Sequence, residues 1–406
     1  MIIIARKDIT YGGAELLIER VALEMIKRRD FGFILTNRIS DTMKNRFENA
    51  NIPYVLIDWY SVRDIKKALK NIENPQILTV WIHDYLYLDI IRSCFKTIKF
   101  GLLHYVVTGD DLVIGKSIGN KIIKNYFFNY YKKHIAESNK NNEIIYMDPY
   151  CRQYAENYYD IQLISTTYFN NPYDSDDLNI EFIKKKAKIR NSKFEILSIS
   201  RAELEMKGYL VTLLSKFPLF HKKHQNASLT IISFGPDEHK LKEIYDTFDE
   251  ETQKYVHLIG QTKYEDLKSY FNKASVYVGM GTTLLDAANH GLCVIPVLPY
   301  TQAFVSEGTF DNIPDQTASF HKEKCFDAYS IIDQILCLND TDYYNKCILT
   351  HDLLREHYNI SKIGRYINSY HDKRNTSDWN LVDLIIEVGF LHKNDKKVNR
   401  LFENKL

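Results

Sequence analysis

The sequence is short of several things. Among its 406 residues no apolar run approaches the roughly 18 that a membrane-spanning helix needs. Met1 leads straight into Ile2-Ile3-Ile4-Ala5, which is too short for the apolar core of a secretory signal, lacks a cleavage pattern and reads instead as a first β-strand. The six cysteines, Cys94, Cys151, Cys293, Cys325, Cys337 and Cys347, form no C-x-x-C pair. Several lie in apolar runs, where cysteine serves as a small buried hydrophobe, so a reducing cytoplasm is the expected location. A formal net charge of +1 excludes a strongly basic nucleic-acid binder. There is no fixed-period repeat, no low-complexity tract and no G-x-x-x-x-G-K-[ST] loop, which argues against P-loop chemistry. No paired carboxylates suggest a glycosidase. His221 and His224 flank Lys222-Lys223 on an expected surface loop, and nothing nearby completes a metal site. Asp174-Ser175-Asp176-Asp177 contains a D-x-D, but in a polar stretch that reads as solvated charge.

What is present is a globular composition, 45% hydrophobic and 26% charged, over a length that favours two domains. Strands and helices alternate through the first 170 residues. Strands are expected at 2–5, 31–36, 53–58, 76–83 and 99–107, and again at His134–Ser138, Glu143–Met147 and Ile161–Thr166. A long helix from Ala14 follows Gly12-Gly13. Such alternation gives a parallel, doubly wound α/β sheet, with ligands at the carboxyl ends of its strands. Gly12, Gly13, His83 and His104 are expected at those ends. A polar segment, 171–192, reads as a linker, and a second alternating set occupies 193–374. A final amphipathic helix within 375–406 is expected to cross back onto the first domain.

Residues 116–133 hold five lysines, and Ile118, Ile122, Tyr126 and Tyr130 recur at helical spacing. Two readings stay open: a basic helix lying on an anionic membrane surface, or a core helix with a solvated lysine face.

The stretch from Ser275 to Val297 is the most informative. Val276-Tyr277-Val278 reads as a strand, Gly279-Met280-Gly281 as a turn, and Thr282 and Thr283 as the opening of a helix that Gly291 stops before the next strand. A helix starting after a glycine turn presents free N–H groups that suit a phosphate, and Asp286 lies one turn in, where a carboxylate reaches a ribose hydroxyl. The other reading is an ordinary βαβ crossover whose glycines only make the turn.

Four patterns occur in an order that resembles one family. They are Tyr11-Gly12-Gly13-Ala14-Glu15, Ser200-Arg201 followed by Lys207-Gly208, Thr230 to Asp237 with its Gly235-Pro236-Asp237 turn, and Gly279 to Ala288. Together they are similar to the retaining nucleotide-sugar glycosyltransferases of the group-1 type, family 4 in the carbohydrate-enzyme classification. The resemblance implies a GT-B fold, with two Rossmann-like domains facing a cleft. It also implies transfer of a sugar from a nucleotide diphosphate donor, UDP-linked, with retention and without a metal. The acceptor would be a glycan or lipid-linked glycan of a surface polysaccharide. Arg201 and Lys207 would then stabilise the leaving diphosphate, with His104 facing the donor sugar. Gly12, Gly13, Gly235, Gln261, Gly281, Thr282, Thr283 and Asp286 would bind the donor. The family's second glutamate, eight positions before the ribose-binding acid, is here Val278. That departure keeps two alternatives in view: a non-catalytic GT-B partner that recognises glycans, and a GT-B sugar-nucleotide epimerase.

Overall fold

The computed structural model describes residues 1–58, 61–73, 75–80, 91, 101–106, 121–163, 167–363 and 367. The chain divides into two compact units: Met1–Pro172 with Ile360–Leu406, and Tyr173–Asn359.

The first unit is built on seven strands: β1 (Ile2–Ala5), β2 (Phe31–Thr36), β3 (Tyr54–Leu56), β4 (Gln76–Thr79), β5 (Gly101–Val106), β6 (Ile144–Tyr146) and β7 (Thr167–Tyr168). They lie in the order β3-β2-β1-β4-β5-β6-β7, all parallel. The apolar run of β1 follows from its central place, because a parallel strand covered on both faces must be hydrophobic throughout. Side chains alternate, so Ile2 and Ile4 join one core layer and Ile3 and Ala5 the other. The Gly13–Lys27 helix fills the first layer with Leu17, Ile18, Val21, Ala22 and Met25.

Here the structure corrects two expectations. His134–Ser138 is not a strand but the end of the Lys121–Lys140 helix. Ile135, Ser138 and Asn139 are buried at helical spacing, and the helix stops only near Asn142, whose φ is +58°. The last described strand is Thr167–Tyr168, and of the expected Ile161–Thr166 strand residues 161–163 are irregular while 164–166 lie outside the described residues. Phe128 of the Lys121–Lys140 helix packs against Tyr158 and Tyr159, while the side chains of Ile122, Tyr126 and Tyr130 lie outside the described residues. Residues 116–120, His83, Cys94 and the expected 378–391 helix lie outside the described residues.

The second unit has a five-stranded sheet of β8 (Phe194–Arg201), β9 (Ala227–Phe234), β10 (Val256–Ile259), β11 (Val276–Gly279) and β12 (Cys293–Pro296). Its order is β10-β9-β8-β11-β12, again all parallel. This is a doubly wound sheet that reverses direction between β8 and β11, and such a switch point opens a crevice at the strands' carboxyl ends.

The supposed linker 171–192 belongs to this unit. Its Ile180–Ile189 helix buries Ile183 and Ala187 in the core, and the Asp176 N–H donates to Asn289 Oδ1. The charged sequence hid this because only one narrow face is apolar. The return to the first unit comes at Ile360, earlier than the expected 375, where Ile360, Ile363 and Ile367 join the layer under the Gly13–Lys27 helix. Where the chain enters and leaves the second unit, Tyr173 pairs with Asn359 in a parallel bridge, and the Tyr173 N–H donates to the Tyr358 carbonyl.

Candidate functional site

The site is assembled at the β8/β11 switch point. Strand β8 ends at Arg201, and its neighbour β11 ends at Gly279. The chain then turns through Met280 and Gly281 into the Thr282–Asn289 helix. Gly281 has φ +78° and ψ −150°, a conformation that only glycine adopts readily, and a Cβ there would meet no atom within 4 Å. Its own N–H donates to the Thr317 carbonyl. The first-turn amides of Thr282 and Thr283 have no acceptor among the described residues. They form the positive end of the helix, open to an anion. The hydroxyls of Thr283 and Tyr277 lie 2.6 Å apart, and both sit 3.1 Å from the Ile199 carbonyl. That contact fixes the helix mouth to β8 two residues before Arg201. Gly281→Ala should therefore lower unfolding stability by about 1–3 kcal/mol through backbone strain alone, read in a denaturant melt.

Two cations occupy the same sheet edge. The Arg201 guanidinium is half-exposed and pairs with Glu203 at 3.1 Å. Lys207 is half-buried and has no hydrogen-bonded anion among the described residues. Desolvation, with a smaller contribution from Arg201, pushes its pKa below the ordinary lysine value, while Glu203 opposes the shift.

Asp286 is buried, 3% exposed, on the second turn of the helix. Its Oδ1 accepts from the Tyr173 hydroxyl at 2.7 Å and the Tyr264 hydroxyl at 2.9 Å. Val278 lies within β11 and is fully buried. Gly235 (φ +135°) turns the chain after β9 where a Cβ would stand 3.2 Å from the Ala202 backbone. Gln261 is exposed in the loop after β10.

The remaining expected residues belong to the first unit. Gly12 is extended and precedes the Gly13–Lys27 helix, and Gly13 is its first residue, one earlier than expected. His104 lies in β5 opposite Thr79 and Ile144, and its side chain is outside the described residues. His221 and His224 are not on a free loop. They end the Tyr209–Lys223 helix, where His221 stacks on Tyr255 and His224 meets Asp333. The second unit thus carries Arg201, Lys207, Gly281, Thr282, Thr283 and Asp286 in the segments that follow the carboxyl ends of β8 and β11. Tyr173, Tyr264 and Glu203 were missed, since no local pattern marks a tyrosine that reaches an acid far along the chain.

Residues 179–298 match the model of the family described as glycosyl transferases group 1. Among curated proteins none matches the sequence. Among solved structures, the fold is similar to HepE of Anabaena, crystallised in complex with UDP and glucose. That likeness has a TM-score of 0.59 at 13% identity, over 91% of this chain and 98% of that one. A glycosyltransferase of Rickettsia africae gives 0.59 at 13%, over 91% and 96%. Sucrose-phosphate synthase of Thermosynechococcus elongatus gives 0.59 at 12%, over 91% and 98%. At these identities the likeness is one of fold, and that fold is GT-B.

Proposed function

We propose that this chain, which carries a group-1 glycosyl transferase domain in a GT-B fold, moves a sugar from a UDP-linked donor to a hydroxyl of a glycan or lipid-linked glycan, with retention at the anomeric carbon. The observation that carries the reading is Lys207, a desolvated cation beside Arg201 with no hydrogen-bonded anion among the described residues, on the same sheet edge as the open helix mouth at Thr282. A diphosphate would supply the missing charge. In the reaction the bond from the anomeric carbon to the β-phosphate oxygen breaks, and the acceptor oxygen bonds to that carbon on the same face. The acceptor proton passes to the departing diphosphate. Charge grows on the β-phosphate as the bond breaks, so fixed cations and backbone N–H groups aimed there lower the barrier. Arg201 offers a bidentate fork, Lys207 a point charge and the Thr282 and Thr283 amides neutral donors. No step in this scheme calls on a metal. Gly12, Gly13 and His104 remain donor-side candidates in the first unit, and Gly235 and Gln261 in the second. The surface-polysaccharide role, the cytoplasmic location and contact of the 116–133 segment with a membrane surface belong to the same reading.

Val278 favours a second reading. A buried valine cannot hold a sugar hydroxyl or support developing positive charge, so a non-catalytic partner that binds nucleotide or glycan is the competing role. Calorimetry with UDP, followed by transfer assays over a panel of UDP-sugars, separates them. Transfer supports the enzyme, whereas UDP binding without transfer supports the partner. Arg201→Ala with Lys207→Ala should weaken UDP binding at least about 100-fold, two charge-assisted contacts being lost. Wild-type affinity in that variant would remove the assignment.

A further inference from the structure

Resting on that reading, we propose that Tyr264, through its hydroxyl, is the specificity-determining contact to the donor's ribose, with Asp286 holding it in place from beneath. An aspartate is one methylene shorter than the glutamate that the resemblance implies at this position, so its carboxylate is set back toward the helix. The structure shows where that missing reach goes. Asp286 is 3% exposed, and two tyrosine hydroxyls converge on its Oδ1. The two tyrosines differ in depth. Tyr173 is buried at 7% and belongs to the core layer that also contains Leu284, Leu285 and Ala288. Tyr264 is half-buried and opens the Tyr264–Lys273 helix, directly after the Gln261-Thr262-Lys263 loop at the carboxyl end of β10. Its part-buried hydroxyl thus meets the acid from a residue at the carboxyl end of β10, in the same sheet whose strand β8 ends at Arg201.

The chemistry suits a ribose hydroxyl. A phenol that donates to a carboxylate has its oxygen made more basic, because the acceptor polarises the O–H bond. That oxygen then accepts well from an alcohol. Tyr264 donating to Asp286 is thus a stronger acceptor than a tyrosine facing water, and its geometry is fixed by a 2.9 Å hydrogen bond. Tyr173 completes the hold on Asp286 but is a positioning residue, not a ligand. The arrangement selects a ribonucleotide over a deoxyribonucleotide donor.

The test uses the full-length protein and calorimetric titration with UDP, 2′-deoxy-UDP and 3′-deoxy-UDP. The wild type should bind UDP about tenfold more tightly than at least one deoxy analogue, the value of one hydrogen bond. Tyr264→Phe should lose that discrimination by weakening UDP binding about tenfold while leaving the weaker analogue unchanged. Tyr173→Phe should keep the discrimination and lower only the melting temperature. If Tyr264→Phe binds UDP as the wild type does, or weakens UDP and both analogues equally, the hydroxyl is structural and the proposal fails. A wild type that binds UDP but does not distinguish the analogues also overturns it, with the glycosyltransferase reading intact. A wild type that binds no UDP overturns both.

Discussion

Lys207→Met should raise the melting temperature by a few degrees and, on the proposed function, lower sugar transfer by about 10²–10³-fold, the loss typical of removing one preorganised group that stabilises transition-state charge. The two effects share one cause. Desolvation makes the ammonium of Lys207 unfavourable in the folded protein, and Glu203, already paired with Arg201, opposes this only in part. The sign follows from linkage. A lysine whose folded pKa is lowered holds fewer protons than it would unfolded, so its charge destabilises the fold below the folded pKa. That cost fades as pH rises from the folded value toward the unfolded one near 10.4. Methionine keeps the apolar stem and removes the charge. The stabilisation should therefore be full at neutral pH and vanish in alkaline melts. The proposed transfer needs the opposite, since a bound diphosphate would neutralise the ammonium and draw its pKa back up. Thermal melts at two pH values, paired with an assay of transfer, check both halves. A variant less stable than wild type at neutral pH would contradict the desolvation account.

Arg190→Leu should be the most damaging single change to the second unit, at about 3–5 kcal/mol and a fall in melting temperature on the order of 10 °C. The Arg190 side chain is fully buried. Its guanidinium donates to the carbonyls of Leu336 (2.8 Å) and Leu338, at the end of the Ala328–Leu336 helix, and stacks 4.7 Å from the Tyr343 ring centre. It therefore caps a helix C-terminus, and its charge sits at the negative end of the helix dipole. Leucine would leave those part-buried carbonyls without this donor. Lysine keeps the charge but not the planar fork, so Arg190→Lys should fall between the two. Thermal unfolding followed by near-ultraviolet circular dichroism reads the ranking. Equal stability of the lysine and arginine forms would show that charge alone matters.

The strand, turn, helix and strand that carry the candidate site could be read in advance because their signals are local. From Ser275 to Val297 the apolar run, the glycine turn, the threonine pair and the stopping glycine each act over a few residues, and Gly291 indeed has φ +63°. The doubly wound order followed from alternation in the same way. The failures concern residues whose role is decided far away. The 180–189 helix looked like a solvated connector because it carries four lysines. Yet Lys186 is buried with its Nζ on the Phe271 carbonyl, and burial draws its pKa down to about 8. The Pro149–Tyr159 helix went unrecognised although it begins with Asp148 accepting from the Cys151 N–H and with proline in its first turn. Tyr173 and Tyr264 lie 113 and 22 positions from the acid that they share. Only the folded chain brings them together.

The parallel bridge between Tyr173 and Asn359 has a mechanical consequence. Because the way in and the way out of the second unit run side by side, that unit is an insertion between two segments of the first, closed at its own base. Tension applied to the two ends of the polypeptide would load the first unit and bypass the second, which stays slack until its neighbour has come apart.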